Sequence, residues 1–321
     1  MSVLILGGSR FMGRHLAEQL VAAGERPVML NRGSRDIPPG VEFVRGDRAA
    51  PGGLAGLEGR RFDAVFDLSA YPAAWVREAV DTLAGRIGRY VFVSSGSVYA
   101  PSPELPWPED AAGGPDPAWG TYAVEKLASE RVLAGAAARF PVTVLRLPYV
   151  LGAGNYADRE AFLFSRIAAG RPILLPGAGR AINQYVHAAD VARAALAVAG
   201  RSGGQSFRIY NVGLPTAITN AALVALAARV AGRDAITCAV DVDAHGVASP
   251  LVDLTDFVFP FPDSHYFLDV RAIERDLGFH AVHSLEATLR EFHTWWLTQP
   301  DRAPRQYARE SRALAALKLA A

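Results

Sequence analysis

Apolar and polar positions follow two rhythms along the first 150 residues. Short apolar runs at Val3–Leu6, Pro27–Asn31 (PVMLN), Val41–Val44, Ala64–Leu68 and Tyr90–Ser94 (YVFVS) read as buried strands. Between them a helical period takes over. Phe11, Leu16 and Leu20 share a face, and Gly24 stops that helix. Further helices are expected from about Ala73 to Leu83 and from Trp119 to Arg139, followed by a strand at Val142–Leu147. Apolar strands that alternate with helices imply a parallel sheet covered on both faces. The expected class is α/β, a Rossmann-type doubly wound parallel sheet with a smaller C-terminal α+β substrate lobe.

Past Leu147 the rhythm loosens. Helices are expected near Arg159–Ala169, Ala188–Ala199, Asn220–Val230 and Leu285–Leu297, and strands at Ile173–Leu175 and Phe207–Asn211. The stretch from Asp241 to Tyr266 is rich in Pro, Asp and Phe and has no period. Residues 1–150 are assigned to a dinucleotide-binding domain with later returns to the sheet, 151–300 to the substrate lobe, and 301–321 to a tail. That tail is either an appended helix or a frayed end.

The first unit, VLILGGSRFMGRHLAEQL, joins a strand to a helix through Gly7, Gly8 and Gly13. Glycines there let the backbone approach a pyrophosphate, and the helix start offers free N–H groups and a partial positive charge. The spacing is incomplete, because Arg10 stands where a middle glycine is expected.

Composition narrows the class. The chain has 321 residues, half of them apolar, and a formal net charge of +1, so no bulk field favours nucleic acid or an anionic membrane. The single Cys238 excludes an internal disulfide and fits a reducing compartment. No apolar run reaches spanning length and the start leads straight into a strand, so a cytoplasmic location is expected.

The sharpest chemical signal is TYAVEK, which sets Tyr122 and Lys126 four residues apart on one helix face. The chain has only two lysines, Lys126 and Lys318, so arginine supplies nearly every ordinary surface cation. A position that demands lysine is one where a compact ammonium lowers a neighbouring pKa and reaches a ribose hydroxyl. Tyr122 is therefore expected to be acidified toward working pH and to exchange a proton with substrate. A surface lysine beside a packing tyrosine is the plainer alternative. SSGSVY places Ser94, Ser95 and Ser97 at a strand's C-terminal end, where a hydroxyl can hold the reacting oxygen. The loop Pro101–Pro117, with six prolines, reads as a wall or lid between those elements. His280 and His283 lack a ligand cluster, so no metal is expected. Asp253, Asp256, Asp263 and Asp269 read as a solvated loop, and Trp295-Trp296 as packing.

The motifs GGSRFMG, NRG, GDR, YVFVSSGSVY, YAVEK, LRLPYVLG and QYVHAADVA together resemble the extended short-chain dehydrogenase/reductases of the NAD-dependent epimerase/dehydratase superfamily. GGSRF, NRG and GDR, with FPFPDSHYF and DLGF, are most similar to a subgroup of bacterial putative epimerases or reductases and plastid RNA-binding relatives. The resemblance implies Ser95, Tyr122 and Lys126 as catalytic residues. It implies cofactor contacts along Gly7, Gly8, Ser9, Arg10, Phe11, Met12 and Gly13, then Asn31, Arg32, Asp47, Arg48, Leu68, Ser69, Ala70, Ser94, Tyr122, Lys126, Pro148 and Tyr149. Asp47 would approach the adenine, and Ser69-Ala70 the nicotinamide. Ser97, Tyr149, Asn155, Gln184 and His187 would face substrate, although His187 equally suits a cap or core histidine. A homodimer on helices near 73–86 and 119–138 is implied as well.

Two departures bear on chemistry. No acid follows the second strand, which ends Asn31-Arg32-Gly33. With Arg10, this favours NADP over NAD, unless both arginines are solvated loop residues. Gly96-Ser97 stands where the family's 4,6-dehydratases carry Asp-Glu, which argues for reduction or epimerisation. The expected activity is hydride transfer to or from a secondary alcohol or ketone, on a nucleotide sugar in one version. An RNA-associated protein and a non-catalytic NADP-sensing regulator are the alternatives.

Overall fold

The structure is a computed structural model describing residues 1–114, 116, 119–201, 205–241 and 256–318. The expected alternation is present as β1 (Val3–Leu6), α1 (Phe11–Ala22), β2 (Val28–Asn31), β3 (Glu42–Arg45), β4 (Ala64–Asp67), α2 (Ala73–Leu83), β5 (Tyr90–Ser95), α3 (Gly120–Ala136) and β6 (Val142–Leu147). The chain continues through β7 (Tyr149–Leu151), α4 (Glu160–Ala169), β8 (Ile173–Pro176), β9 (Ile182–His187), α5 (Ala188–Gly200) and β10 (Phe207–Asn211). It ends with β11 (Ala217–Thr219), α6 (Asn220–Ala231), β12 (Thr237–Val240), α7 (Arg271–Leu277), α8 (Leu285–Leu297) and α9 (Ala308–Ala316).

Seven parallel strands form the central sheet in the order β10-β6-β5-β4-β1-β2-β3. Side chains alternate across it. Val3 and Ile5 pack with Leu16 and Leu20 of α1 and Val191 of α5, while Leu4 and Leu6 pack with Val76, Val80 and Leu83 of α2 and Leu133 of α3. Each buried Leu or Val contributes about 1.5–3 kcal/mol, which explains why these strands read as unbroken apolar runs. From β1 the chain builds outward on both sides, so the strand order reverses between β1 and β4. A crevice opens at the carboxyl ends of the strands there.

The second half carries a three-stranded sheet, β11-β9-β7, and the pair β12-β8. β7, β9, β11, β12 and α7 have no counterpart among the expected elements. β9 was masked by its own polarity. Asn183 and Gln184 are fully buried, yet Asn183 Nδ2 donates to Asn220 Oδ1 at 2.9 Å and Gln184 Nε2 to the Leu214 carbonyl at 2.6 Å. β7 and β11 hold three residues each, too few for a period. The described part of the aperiodic stretch packs Phe257, Phe259, Phe261 and Tyr266 into an aromatic core with Phe162, Phe292 and Trp296. Asp253, Pro115 and Pro117 lie outside the described residues. Asp256 and Asp269 pair with Arg309 and Arg271.

The tail resolves as a docked helix. Arg166 of α4 meets Glu310 of α9 through Nε–Oε1 and Nη2–Oε2, both 2.6 Å, with the two side chains 0% and 1% exposed. Tyr307, just ahead of α9, donates to Asp158 Oδ2 at 2.5 Å. Among the described residues no helix is long and apolar enough to cross a membrane, and no group of three or more His, Cys, Asp or Glu could hold a metal ion.

Candidate active site

The crevice beside β1 is a cleft of about 540 Å³ whose wall begins with the turn from Gly7 to Gly13. Gly7 has φ +92°, and a Cβ there would lie 2.5 Å from Ser69 Cβ. A Cβ on Gly13 would lie 2.0 Å from Gly8 Cα. These close approaches hold α1 against the end of β1, and a side chain at either glycine would collide with Ser69 or Gly8 and force open a turn whose N–H groups suit a pyrophosphate. The missing middle glycine has a local consequence. Arg10 is extended, and Phe11, the first residue of α1, takes φ +51° instead. A left-handed phenylalanine costs roughly 1–2 kcal/mol, strain stored at the point where the turn meets the helix. The turn therefore fits the pyrophosphate of a dinucleotide.

The far end of the cleft passes the tips of β2 and β3. Asn31 Oδ1 accepts from Gly33 N at 2.8 Å, closing a tight turn, and Arg32 and Asp47 line the cleft beside it. Arg48 also lines the cleft but is already engaged. Its Nη1 and Nη2 donate to Asp67 Oδ1 and Oδ2 at 2.6 and 2.9 Å, and Nη1 reaches Ser69 Oγ at 3.1 Å. Tyr90 donates to the same carboxylate at 2.6 Å. Burial alone would raise Asp67, but the Arg48 guanidinium outweighs it and holds the carboxyl below the usual range. Arg48 is thus a fixed support beneath the cleft and not a free ligand for cofactor phosphate.

At the reacting end, β5 delivers Ser95 and α3 delivers Tyr122 and Lys126 to the same wall. A short 3-10 turn at Gly96–Val98 follows β5, and Ser95 Oγ caps it by accepting from Ser97 N at 3.2 Å. Ser95 also hydrogen-bonds with Tyr122 and Tyr266. The expected acidification of Tyr122 is absent. Withdrawal from water pushes its phenol up to about 12, with the Ser95 hydrogen bond opposing that shift in part. Lys126 Nζ is turned to other acceptors: it donates to the Ala70 and Val93 carbonyls at 2.9 and 2.8 Å. Burial lowers its own pKa to about 8, against the attraction of Asp67. The lysine ties α3 to the loop after β4 and to β5, and so fixes where Tyr122 sits.

All the implied cofactor contacts line this one cleft, as do Tyr149 and Asn155. Ser97, Gln184 and His187 do not. Ser97 is 1% exposed within the 3-10 turn. Gln184 braces the cap by accepting from Leu268 N at 3.0 Å and donating to the Leu268 and Leu214 carbonyls. His187 accepts from Ala189 N at 3.1 Å as the N-cap of α5 and stacks on His283, with ring centres 4.2 Å apart. These three polar side chains are consumed by packing. The cleft also contains Trp119, Tyr156, Arg159 and Tyr266, which sequence reasoning did not single out. Tyr266 lies within FPFPDSHYF, a recognisable motif that carries no readable chemistry of its own.

A doubly wound sheet with a glycine turn at its switch point, and Ser95, Tyr122 and Lys126 on the cleft wall, defines an extended short-chain dehydrogenase/reductase fold. The profile of the NAD dependent epimerase/dehydratase family matches residues 3–213, and the chain belongs to that family. It is similar to the chloroplast stem-loop binding protein of 41 kDa b from Arabidopsis thaliana, 29% identical over 86% of this chain and 74% of that protein. It is also similar to the UDP-glucose 4-epimerase of Streptomyces lividans, 26% identical over 72% of this chain and 81% of the relative. Among solved structures, MoeE5 in complex with UDP-glucose and NAD superposes with a TM-score of 0.75 at 25% identity, covering 92% of this chain and 98% of that one.

Proposed function

We propose that the chain moves hydride to or from a secondary alcohol or ketone on a nucleotide sugar, as an epimerase or reductase. The carrying observation is that Ser95, Tyr122 and Lys126 share one cleft wall with the glycine turn. A bound nicotinamide ring would accept or return the hydride. Tyr122, protonated at neutral pH, supplies a proton to the substrate oxygen in the reducing direction and recovers it in the other. Ser95 orients that oxygen, and Lys126 holds α3 so that the phenol stays in place. Gly96 supports epimerisation or reduction over dehydration: a Cβ there would lie 2.6 Å from Tyr266 Oη, leaving no room for an acid.

A 2′-phosphorylated cofactor belongs to the same reading. Arg32 lines the cleft beside the tip of β2, which is Asn31 in place of an acid, while the Arg10 guanidinium carbon lies 4.8 Å from the centre of the Tyr156 ring. The solved relative named above holds NAD, so parallel titrations with NAD and NADP decide the matter. A homodimer built on α2 and α3 is a further part of the reading, and Val124, exposed on α3, would be covered by it. Light scattering measures that state directly.

The test of the chemistry is Tyr122→Phe. With UDP-glucose and UDP-glucuronic acid as probes, turnover of whichever the wild type converts should fall by at least about 100-fold while cofactor affinity holds, and undiminished turnover would remove Tyr122 from the reaction. The likeness to a stem-loop binding protein favours a second reading, an RNA-associated protein on the same fold. The net charge of +1 weighs against it, and a mobility shift across a salt series separates the two.

A further inference from the structure

One cation in the cleft has no part in the chemistry just described. Arg159 stands at the N-terminal end of α4 and lines the cleft together with Tyr122, Asn155 and Tyr156. Its guanidinium carbon is 5.1 Å from the centre of the Tyr149 ring. Its Nε is buried with no hydrogen-bond partner, and it forms no ion pair among the described residues. The acids on either side of it in sequence are engaged elsewhere. Asp158 accepts from Tyr307, and Glu160 accepts from Gly152 N at 2.8 Å and Asn155 Nδ2 at 2.7 Å.

The surroundings make that lack of a counter-ion costly. Trp119 and Tyr266 pack on the Tyr149 ring with centres 6.3 and 5.2 Å away, so the guanidinium faces an aromatic wall of low polarity. An unpaired charge there is stabilised by an incoming anion far more than a surface arginine would be. Asp47 is the one carboxylate among the described lining residues, and it sits beyond β3, at the adenosine end. Arg159 is also close enough to Tyr122 for its field to favour the ionised phenol. The guanidinium without an ion-pair partner therefore lies near the proton-transfer group.

We propose that Arg159 binds a carboxylate carried by the sugar ring beside the reacting carbon, so that the substrate is a uronate-type nucleotide sugar and not a neutral hexose. This rests on the nucleotide-sugar reading above. The planar guanidinium fork suits a carboxylate in a two-point contact. Its backbone is anchored from the far side by Tyr307 on Asp158 and by Arg166 with Glu310, which limits the reorganisation that binding requires.

Calorimetric titration of the full chain, with NAD present, compares UDP-glucuronic acid with UDP-glucose. The wild type should bind the uronate at least tenfold more tightly. Arg159→Gln should erase that preference by weakening the uronate at least tenfold while changing UDP-glucose less than threefold, and Arg159→Lys should restore part of it. Equal affinities in the wild type overturn the proposal without recourse to any variant. Equal weakening of both ligands by Arg159→Gln assigns the arginine to the diphosphate and overturns it too. If neither ligand binds the wild type, the nucleotide-sugar reading itself falls and this inference falls with it. If both bind with an unchanged ratio in Arg159→Gln, this inference alone falls.

Discussion

The two ends of the cleft are built from different materials. At the glycine turn, backbone meets backbone: Gly13 lies against Gly8, and Gly7 against Ser69, with no space for a side chain. At the reacting end, side chains from β5, α3, β7 and the segment before α4 converge, with Lys126 held by two carbonyls while Tyr149 Oη and Arg159 Nε have no partner. The first end is specified by what is absent from the sequence, the second by which side chains are present. Substitutions at the first should therefore damage fold and cofactor binding together. At the second, they should separate stability from activity.

The largest effect is expected beneath the cleft. Asp67→Asn leaves the buried Arg48 guanidinium without its counter-charge and should cost about 3–5 kcal/mol in urea unfolding. A loss under 1 kcal/mol would mean that the rigid end is not rigid for this reason.

Next come two buried titrating groups of the reacting end, whose slopes run in opposite directions. Lys126 falls from 10.5 unfolded to about 8 folded, so the folded chain binds fewer protons between those values and stability rises with pH across that window. Burial lifts Glu160 from 4.5 to about 7, despite hydrogen bonds to its carboxylate, so stability is lost as pH rises from 4.5 to 7. Each window amounts to about 3 kcal/mol at 1.36 kcal/mol per unit. Against the wild type, Lys126→Met should flatten the alkaline rise and Glu160→Gln the acid-side fall. Parallel stability curves for wild type and variant would refute either assignment.

Gly13→Ala should cost roughly 1–3 kcal/mol of stability, because its Cβ overlaps Gly8 backbone, and should weaken dinucleotide binding in the same measure. Intact affinity in a destabilised protein would break the link between fold and binding at that end. Smallest is Tyr307→Phe, which removes one hydrogen bond worth about 1 kcal/mol. It should lower the melting temperature while leaving NAD(P) affinity untouched, and a change in that affinity would join the two ends that the structure keeps apart.

The same contrast governs what could be read beforehand. Strands buried on both faces announce themselves, and Val142–Leu147 and Phe207–Asn211 appear in the structure with the expected limits. So do helices Ala73–Leu83 and Leu285–Leu297. β9 did not, because Asn183 and Gln184 look like surface residues until their buried partners from α6 and the 266–269 segment are known. The Tyr122–Lys126 spacing brought both residues to the cleft, but spacing cannot say that Lys126 would point its ammonium at the Ala70 and Val93 carbonyls. Arg159 was illegible for the same reason: thirty-one arginines look alike in one dimension, and what distinguishes this one is its place on the cleft wall with a partnerless buried Nε and no ion pair among the described residues.

The position of β10 carries a practical consequence for anyone dissecting this protein. That strand pairs with β6 from Phe207 beside Val142 to Asn211 beside Arg146, yet it is separated from β6 in the chain by β7, α4, β8, β9 and α5. A fragment stopped at residue 150 would leave a raw margin of unpaired amides next to Val142 and Val144, ready to template onto a neighbouring molecule. A soluble minimal cofactor-binding piece would have to retain the detour, or graft the Phe207–Asn211 ribbon back by a new linker.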